Sequence, residues 1–115
     1  MTIEEQVKVA FQALEEKKAE DIRIIDIRGI STIADYFIVA SGSNQSQLQA
    51  MEDSVGQKMR EIGMAQPKVE GNRNSTWILM DYGDFIVHIF SEEDRLFYAL
   101  ERIWTDGREV EIEDL

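Results

Sequence analysis

The sequence predicts a single α/β domain in which a mixed five-stranded sheet is packed with helices. Three observations lead there. The 115 residues fit one domain, since domains run to roughly 100–200 residues. Hydrophobic residues at 43% and charged residues at 30% are the mix of a folded chain rather than a disordered one. Stripes of apolar residues at helical spacing alternate along the chain with short β-branched runs.

The elements follow in order. Thr2 is positioned to cap a helix, with Glu5 three residues later as in a capping box. Ile3, Val7, Ala10, Phe11 and Leu14 then share one helical face, and Glu4, Lys8, Gln12, Glu15 and Glu16 the other, so a helix is expected over 2–17. The run 21–28 is β-branched, partly alternating and closed by Gly29, which reads as a strand. The run 35–41 is apolar enough to be buried on both faces and ends at Gly42. Asn44 and Gln47 form a second capping box, and Leu48, Met51, Val55, Met59 and Ile62 the stripe of a second helix ending at Gly63.

Beyond Pro67, residues 68–70 read as a short third strand before the polar turn 71–74. Residues 76–81 and 85–90 read as strands of a hairpin turning through Tyr82, Gly83 and Asp84. Ser91 starts a last helix with Glu92, Glu93 and Asp94 in its first turn, and Leu96, Phe97, Leu100, Ile103 and Trp104 as its apolar stripe. Gly107 closes it. The domain is thus expected over 1–107, followed by an acidic tail over 108–115 that frays. The strands bracketing the middle helix read as a crossover, and the last two pair antiparallel. Three helices do not cover both faces of five strands, which leaves part of a face for a partner.

Charge narrows the function. The 12 basic and 23 acidic side chains give a net charge of −11. That excess opposes a grip on nucleic acid through phosphates and adsorption to an anionic membrane. It suits a basic protein partner. No apolar stretch approaches the ~20 residues of a membrane span. The absence of cysteine removes thiolate chemistry and thiolate zinc sites, and fits a reducing cytoplasm. The first residues lack the pattern of a signal peptide.

Few residues carry candidate chemistry. His88 is the single histidine; it reads either as a hydrogen-bonded strand residue or as a contact residue on a binding face. Asp81 and Asp84 could hold a cation, but aspartate flanking a glycine is also ordinary turn chemistry. Ser41-Gly42-Ser43, between a strand and a helix N-terminus, could cradle phosphate and matches the Gly-Ser element of nucleotidyltransferases. Those enzymes follow it with two carboxylates spaced two apart on a strand; here the spacing is three and crosses a turn. Neither a cofactor nor a metal is called for. Alternation on the first hairpin strand puts Trp77, Leu79 and Asp81 on one side and Ile78, Met80 and Tyr82 on the other. The Trp77 side is expected to be the exposed one, because burying unpaired Asp81 is costly. Apolar anchors with a polar rim are the make-up of a protein-binding patch.

The run from Trp77 through Asp81-Tyr82-Gly83-Asp84 to His88-Ile89-Phe90, followed by Arg95, Tyr98, Leu100, Glu101 and Trp104, resembles the signature of the ribosomal silencing factor family, also called the Iojap family. The stretch Asp35 to Gly42 and the step Val69-Glu70-Gly71 match it too. The resemblance runs from the first helix to Trp104 and omits the acidic tail. It implies a nucleotidyltransferase-like fold without a working active site, so no enzyme. It implies a cytoplasmic factor that binds the large ribosomal subunit through its L-fourteen-family protein and blocks joining of the small subunit. Translation is thereby repressed under nutrient limitation, with little direct RNA contact. Strand alternation selects Trp77, Leu79, Asp81, Tyr82, Asp84, His88, Arg95 and Tyr98 as the partner-binding candidates. The open face is also compatible with a homodimer when the protein is free. The competing reading is a small nucleotidyltransferase-like enzyme using the Gly42-Ser43 loop with Asp81 and Asp84.

Overall fold

A computed structural model describes residues 1–71, 76–92 and 107–115 of the chain. The order is α1 (Ile3–Glu16), β1 (Glu20–Asp26), β2 (Tyr36–Gly42), α2 (Gln45–Glu61), β3 (Lys68–Glu70), β4 (Trp77–Asp81), β5 (Phe85–Ser91) and β6 (Arg108–Val110), with a closing 3₁₀ turn, Ile112–Asp114. Beyond Glu92 the expected last helix, with Arg95 and Tyr98, falls on residues 93–106, outside the described residues.

The helices start where their caps predict. The Thr2 hydroxyl accepts from the Glu5 N–H at 3.1 Å, and Asn44 Oδ1 accepts from the Gln47 N–H at 2.8 Å, each satisfying a donor the first helical turn leaves unpaired. The buried faces, Val7, Ala10, Ala13 and Leu14 of α1 with Leu48, Met51, Val55 and Met59 of α2, pack on one face of the sheet against Ile24, Ile38, Ile78, Met80, Phe85, Val87 and Ile89. Buried Ser54 ties the helices together by donating to the Ala13 carbonyl at 2.9 Å. Both described helices lie on this one face.

The sheet has six strands, not five, in the order β3-β4-β5-β2-β1-β6. The sixth comes from the segment expected to fray. Arg108, Glu109 and Val110 pair antiparallel with Asp26, Ile25 and Ile24. Arg23 reaches Glu109 at 2.7 Å and Arg108 reaches Asp26 at 3.3 Å, while Val110, Ile112 and Leu115 pack on the main core. The pairing depends on groups 86 residues apart, so no local pattern announces it.

β4 and β5 pair antiparallel as expected, and β2 pairs parallel with β5. β3 runs in the same direction as β2 with two strands between them, so the crossover through α2 spans β5 and β4. β2, in the middle, is buried along its whole length. The β4–β5 hairpin closes through Gly83 and Asp84, with the Tyr82 N–H donating to the Phe85 carbonyl at 3.0 Å. Gly83 has φ +91°, the first-position geometry a tight hairpin turn assigns to glycine. On the opposite sheet face a second cluster gathers Ile25, Ile27, Ala34, Phe37, Val39, Ile86 and Phe90, with Trp77 and Leu79 partly buried against it.

Candidate functional site

β4 alternates as its sequence requires: Ile78 and Met80 are buried on the helix face, and Trp77, Leu79 and Asp81 are only partly buried on the other. Cross-strand register then places their supports. Trp77 lies opposite Phe90, Leu79 opposite His88, and Asp81 opposite Ile86. One strand further in are Ser41, Val39 and Phe37.

These positions assemble an aromatic cluster. The Trp77 and Phe90 rings lie near-parallel with centroids 5.5 Å apart. His88 sits between Phe37, edge-on at 4.7 Å, and Phe90, near-parallel at 6.0 Å. The Trp77 indole N–H donates to His88 Nδ1 at 3.3 Å. An indole can only donate, so Nδ1 is the acceptor and the imidazole proton belongs on Nε2. That nitrogen is buried and has no hydrogen-bond partner among the described residues. Burial drives the pKa of His88 down to about 4, because a charged imidazolium would be desolvated with nothing opposite it. At 5% exposure, His88 is a support beneath Trp77 rather than a surface contact. Phe37 and Phe90 complete the cluster and were missed in the sequence; only the strand register reveals them.

The other candidates separate. Asp81 Oδ1 accepts from the Gly83 N–H at 2.8 Å, which is turn chemistry. Asp84 is exposed at the turn, and its carbonyl accepts from the Asp35 N–H at 2.8 Å. Tyr82 turns to the helix side, where its ring lies on Phe85 at 5.1 Å and packs on the main core. Burial pushes its hydroxyl up to about 12. The structure therefore brings together Trp77, Leu79 and Asp81 along β4 on the second face, with Asp84 in the turn at its end and His88 beneath them.

The Gly42-Ser43 loop is arranged for packing. A Cβ on Gly42 would lie 2.8 Å from Leu48 Cδ2, and 3.2 Å from both Gln47 Oε1 and Met51 Sδ. Glycine is there because α2 presses on the end of β2. The Ser43 N–H, which a phosphate would need, donates to Gln47 Oε1 at 2.6 Å, and Gln47 Nε2 donates to the Lys17 and Lys18 carbonyls. The Ser43 hydroxyl donates to Glu20 at 3.3 Å. A hydrogen bond to that same Glu20 pushes the Glu92 carboxyl up, so two carboxyl groups stand where a phosphate would have to come. Register also parts the loop from Asp81. Ser41 and Trp77 both align with Phe90, whereas Asp81 lies four residues along β4, roughly 13 Å at the strand rise. Among the described residues no group of three or more His, Cys, Asp or Glu side chains could hold a metal.

This is a small α/β domain that fills its glycine loop with its own glutamine and supports a partly exposed tryptophan on β4 from beneath. The chain belongs to the ribosomal silencing factor family: the family described as "Ribosomal silencing factor during starvation" matches residues 1–115. It is 35% identical to the Ribosomal silencing factor RsfS of Halalkalibacterium halodurans, over 98% of this chain and 97% of that one. With the protein of the same name from Bacillus subtilis it shares 39% identity over 88% of this chain and 86% of that one. A murine protein named Mitochondrial assembly of ribosomal large subunit protein 1 is 28% identical; the match covers 86% of this chain and 45% of that longer one. The crystal structure of a Chromobacterium violaceum protein, 35% identical, superposes with a TM-score of 0.86 over 91% of this chain and 88% of that one.

Proposed function

We propose that this protein docks on the large ribosomal subunit through the L-fourteen-family protein and excludes the small subunit by occupancy, lowering translation when nutrients are short. The supporting observation is the Trp77 stripe. A large aromatic is partly exposed yet held by a hydrogen bond to a buried imidazole, with Leu79 beside it and Asp81 and Asp84 at the end of the stripe. A pre-positioned aromatic anchor with an acidic rim suits a basic protein partner. The net charge of −11 keeps the same surface off the surrounding phosphates, so direct RNA contact is small. Arg95 and Tyr98 are proposed as further contributors. The factor acts in the cytoplasm, without turnover, by mass action. Its architecture is a nucleotidyltransferase-like one whose strand–glycine–helix junction now serves packing alone. The free protein pairs with a second copy through the same stripe.

Co-sedimentation with purified large subunits tests this reading. Binding that falls when Trp77 is replaced by alanine is the expected result. A wild-type protein that stays in the supernatant would refute it.

A further inference from the structure

Four large hydrophobic side chains are exposed among the described residues: Met1, Ile30, Ile33 and Val69. Met1 begins the chain and Val69 sits on the edge strand β3. The other two share one short loop between β1 and β2, with Ile33 65% and Ile30 48% exposed. Single exposed apolar residues are ordinary; neighbouring ones on a built loop mark a contact surface.

The loop is built. The Ile27 carbonyl accepts from the Ile30 and Ser31 N–H groups at 3.1 and 2.9 Å. The Ser31 hydroxyl accepts from the Ile33 N–H at 3.2 Å. Ile27 and Ala34, at its two ends, are buried in the same cluster against which Trp77 and Leu79 pack. The Asp35 N–H bond to the Asp84 carbonyl fastens the loop to the hairpin turn. Ile30 and Ile33 therefore sit beyond the same end of the sheet as Asp81 and Asp84, to the side of the β4 stripe.

Charge names the occupant. Asp35, Asp81 and Asp84 surround this junction, and none has an ion pair among the described residues. Of the nearby cations, Arg28 is committed to Asp26 at 2.7 Å and to the Tyr36 ring at 5.3 Å, and Lys68, opposite Asp81 across β3 and β4, makes no ion pair with it. Apolar side chains beside carboxylates that have no ion pair suit a basic protein surface with an apolar socket better than a phosphate.

We infer that the β1–β2 loop is a second anchor of the docking surface, with Ile33 and Ile30 seated in an apolar socket of the same basic protein that meets Trp77. This rests on the docking function proposed above. Aliphatic side chains that are exposed when free and buried when bound contribute through the area they lose to the partner.

The test compares wild-type protein with Ile33→Asp, Ile33→Ala and Val69→Asp in co-sedimentation with purified large subunits. Melting midpoint and sedimentation velocity are recorded for each. Ile33→Asp is expected to bind roughly tenfold or more weakly at an unchanged melting midpoint, with Val69→Asp like wild type. If Ile33→Asp lowers the midpoint, Ile33→Ala carries the comparison, with severalfold weaker binding expected. Wild-type affinity in both Ile33 variants overturns the inference and leaves the Trp77 docking intact. An equal loss in Val69→Asp overturns it too, by showing a general charge effect. Altered self-association with unchanged subunit binding assigns the loop to the dimer and also overturns it. Failure of the wild-type protein to bind removes the docking function and this inference together.

Discussion

Between pH 7 and pH 5, acid should destabilise this protein chiefly through one residue, and that residue can be watched alone because the chain has a single histidine. His88 is buried and neutral, with Nδ1 occupied by Trp77 and Nε2 facing no partner among the described residues. Its pKa is lowered to about 4 by burial, against about 6.5 in the unfolded chain. The unfolded state then takes up the proton first. The stabilisation is fully present above about pH 6.5 and is lost progressively as pH falls towards 4. Over the whole window the term amounts to about 3 kcal/mol, and between pH 7 and pH 5 to about 2 kcal/mol. That corresponds to a fall in melting temperature of roughly 8 °C for a domain of this size. Glu52 is raised by burial, and Glu92 by its hydrogen bond to Glu20; both oppose the trend. Asp26, held at about 2 mainly by the Arg28 hydrogen bond, titrates below it. Comparison of wild type with His88→Phe over pH 5–7 therefore isolates the imidazole: the slope should flatten in the variant. A titration of the histidine ring protons by nuclear magnetic resonance gives the same answer without a mutation. A folded-state midpoint near 6.5, or a slope that survives in His88→Phe, would refute the reasoning.

Two other predictions concern the scaffold. Gly42→Ala forces a Cβ to within 2.8 Å of Leu48 and should cost about 1–3 kcal/mol in chemical denaturation, while large-subunit binding below the melting temperature is unchanged. Deleting residues 108–115 removes β6 and the packing of Val110, Ile112 and Leu115; it should destabilise by about 2–4 kcal/mol and, by baring the β1 edge, raise self-association in sedimentation velocity.

How much of this was legible in the sequence differs by element. The two helix starts were, because each rests on a side chain and an N–H three residues apart, Thr2 with Glu5 and Asn44 with Gln47. The exposed side of β4 was, because strand alternation and the cost of burying Asp81 are local arguments. β6 was not. Arg108-Glu109-Val110 has no apolar period, and it becomes a strand only when Arg23 and Asp26 are in place to receive it. The acidic tail is thus part of the sheet, not merely a reservoir of charge. Nor could the sequence place His88: a lone histidine carries no pattern, and its burial follows from the register that surrounds it with Phe37, Trp77 and Phe90. The Gly42-Ser43 loop was legible as a junction but not as a filled one, since Gln47 reads equally well as an ordinary cap partner.

Association of purified small and large subunits, followed by light scattering with wild-type protein or Trp77→Ala present, tests the central claim most directly. Below the melting temperature of both proteins, the wild type should hold subunits apart in a saturable way, and Trp77→Ala should need at least roughly tenfold more protein. Undiminished joining in the presence of saturating wild-type protein, or an equally effective Trp77→Ala, would contradict the account.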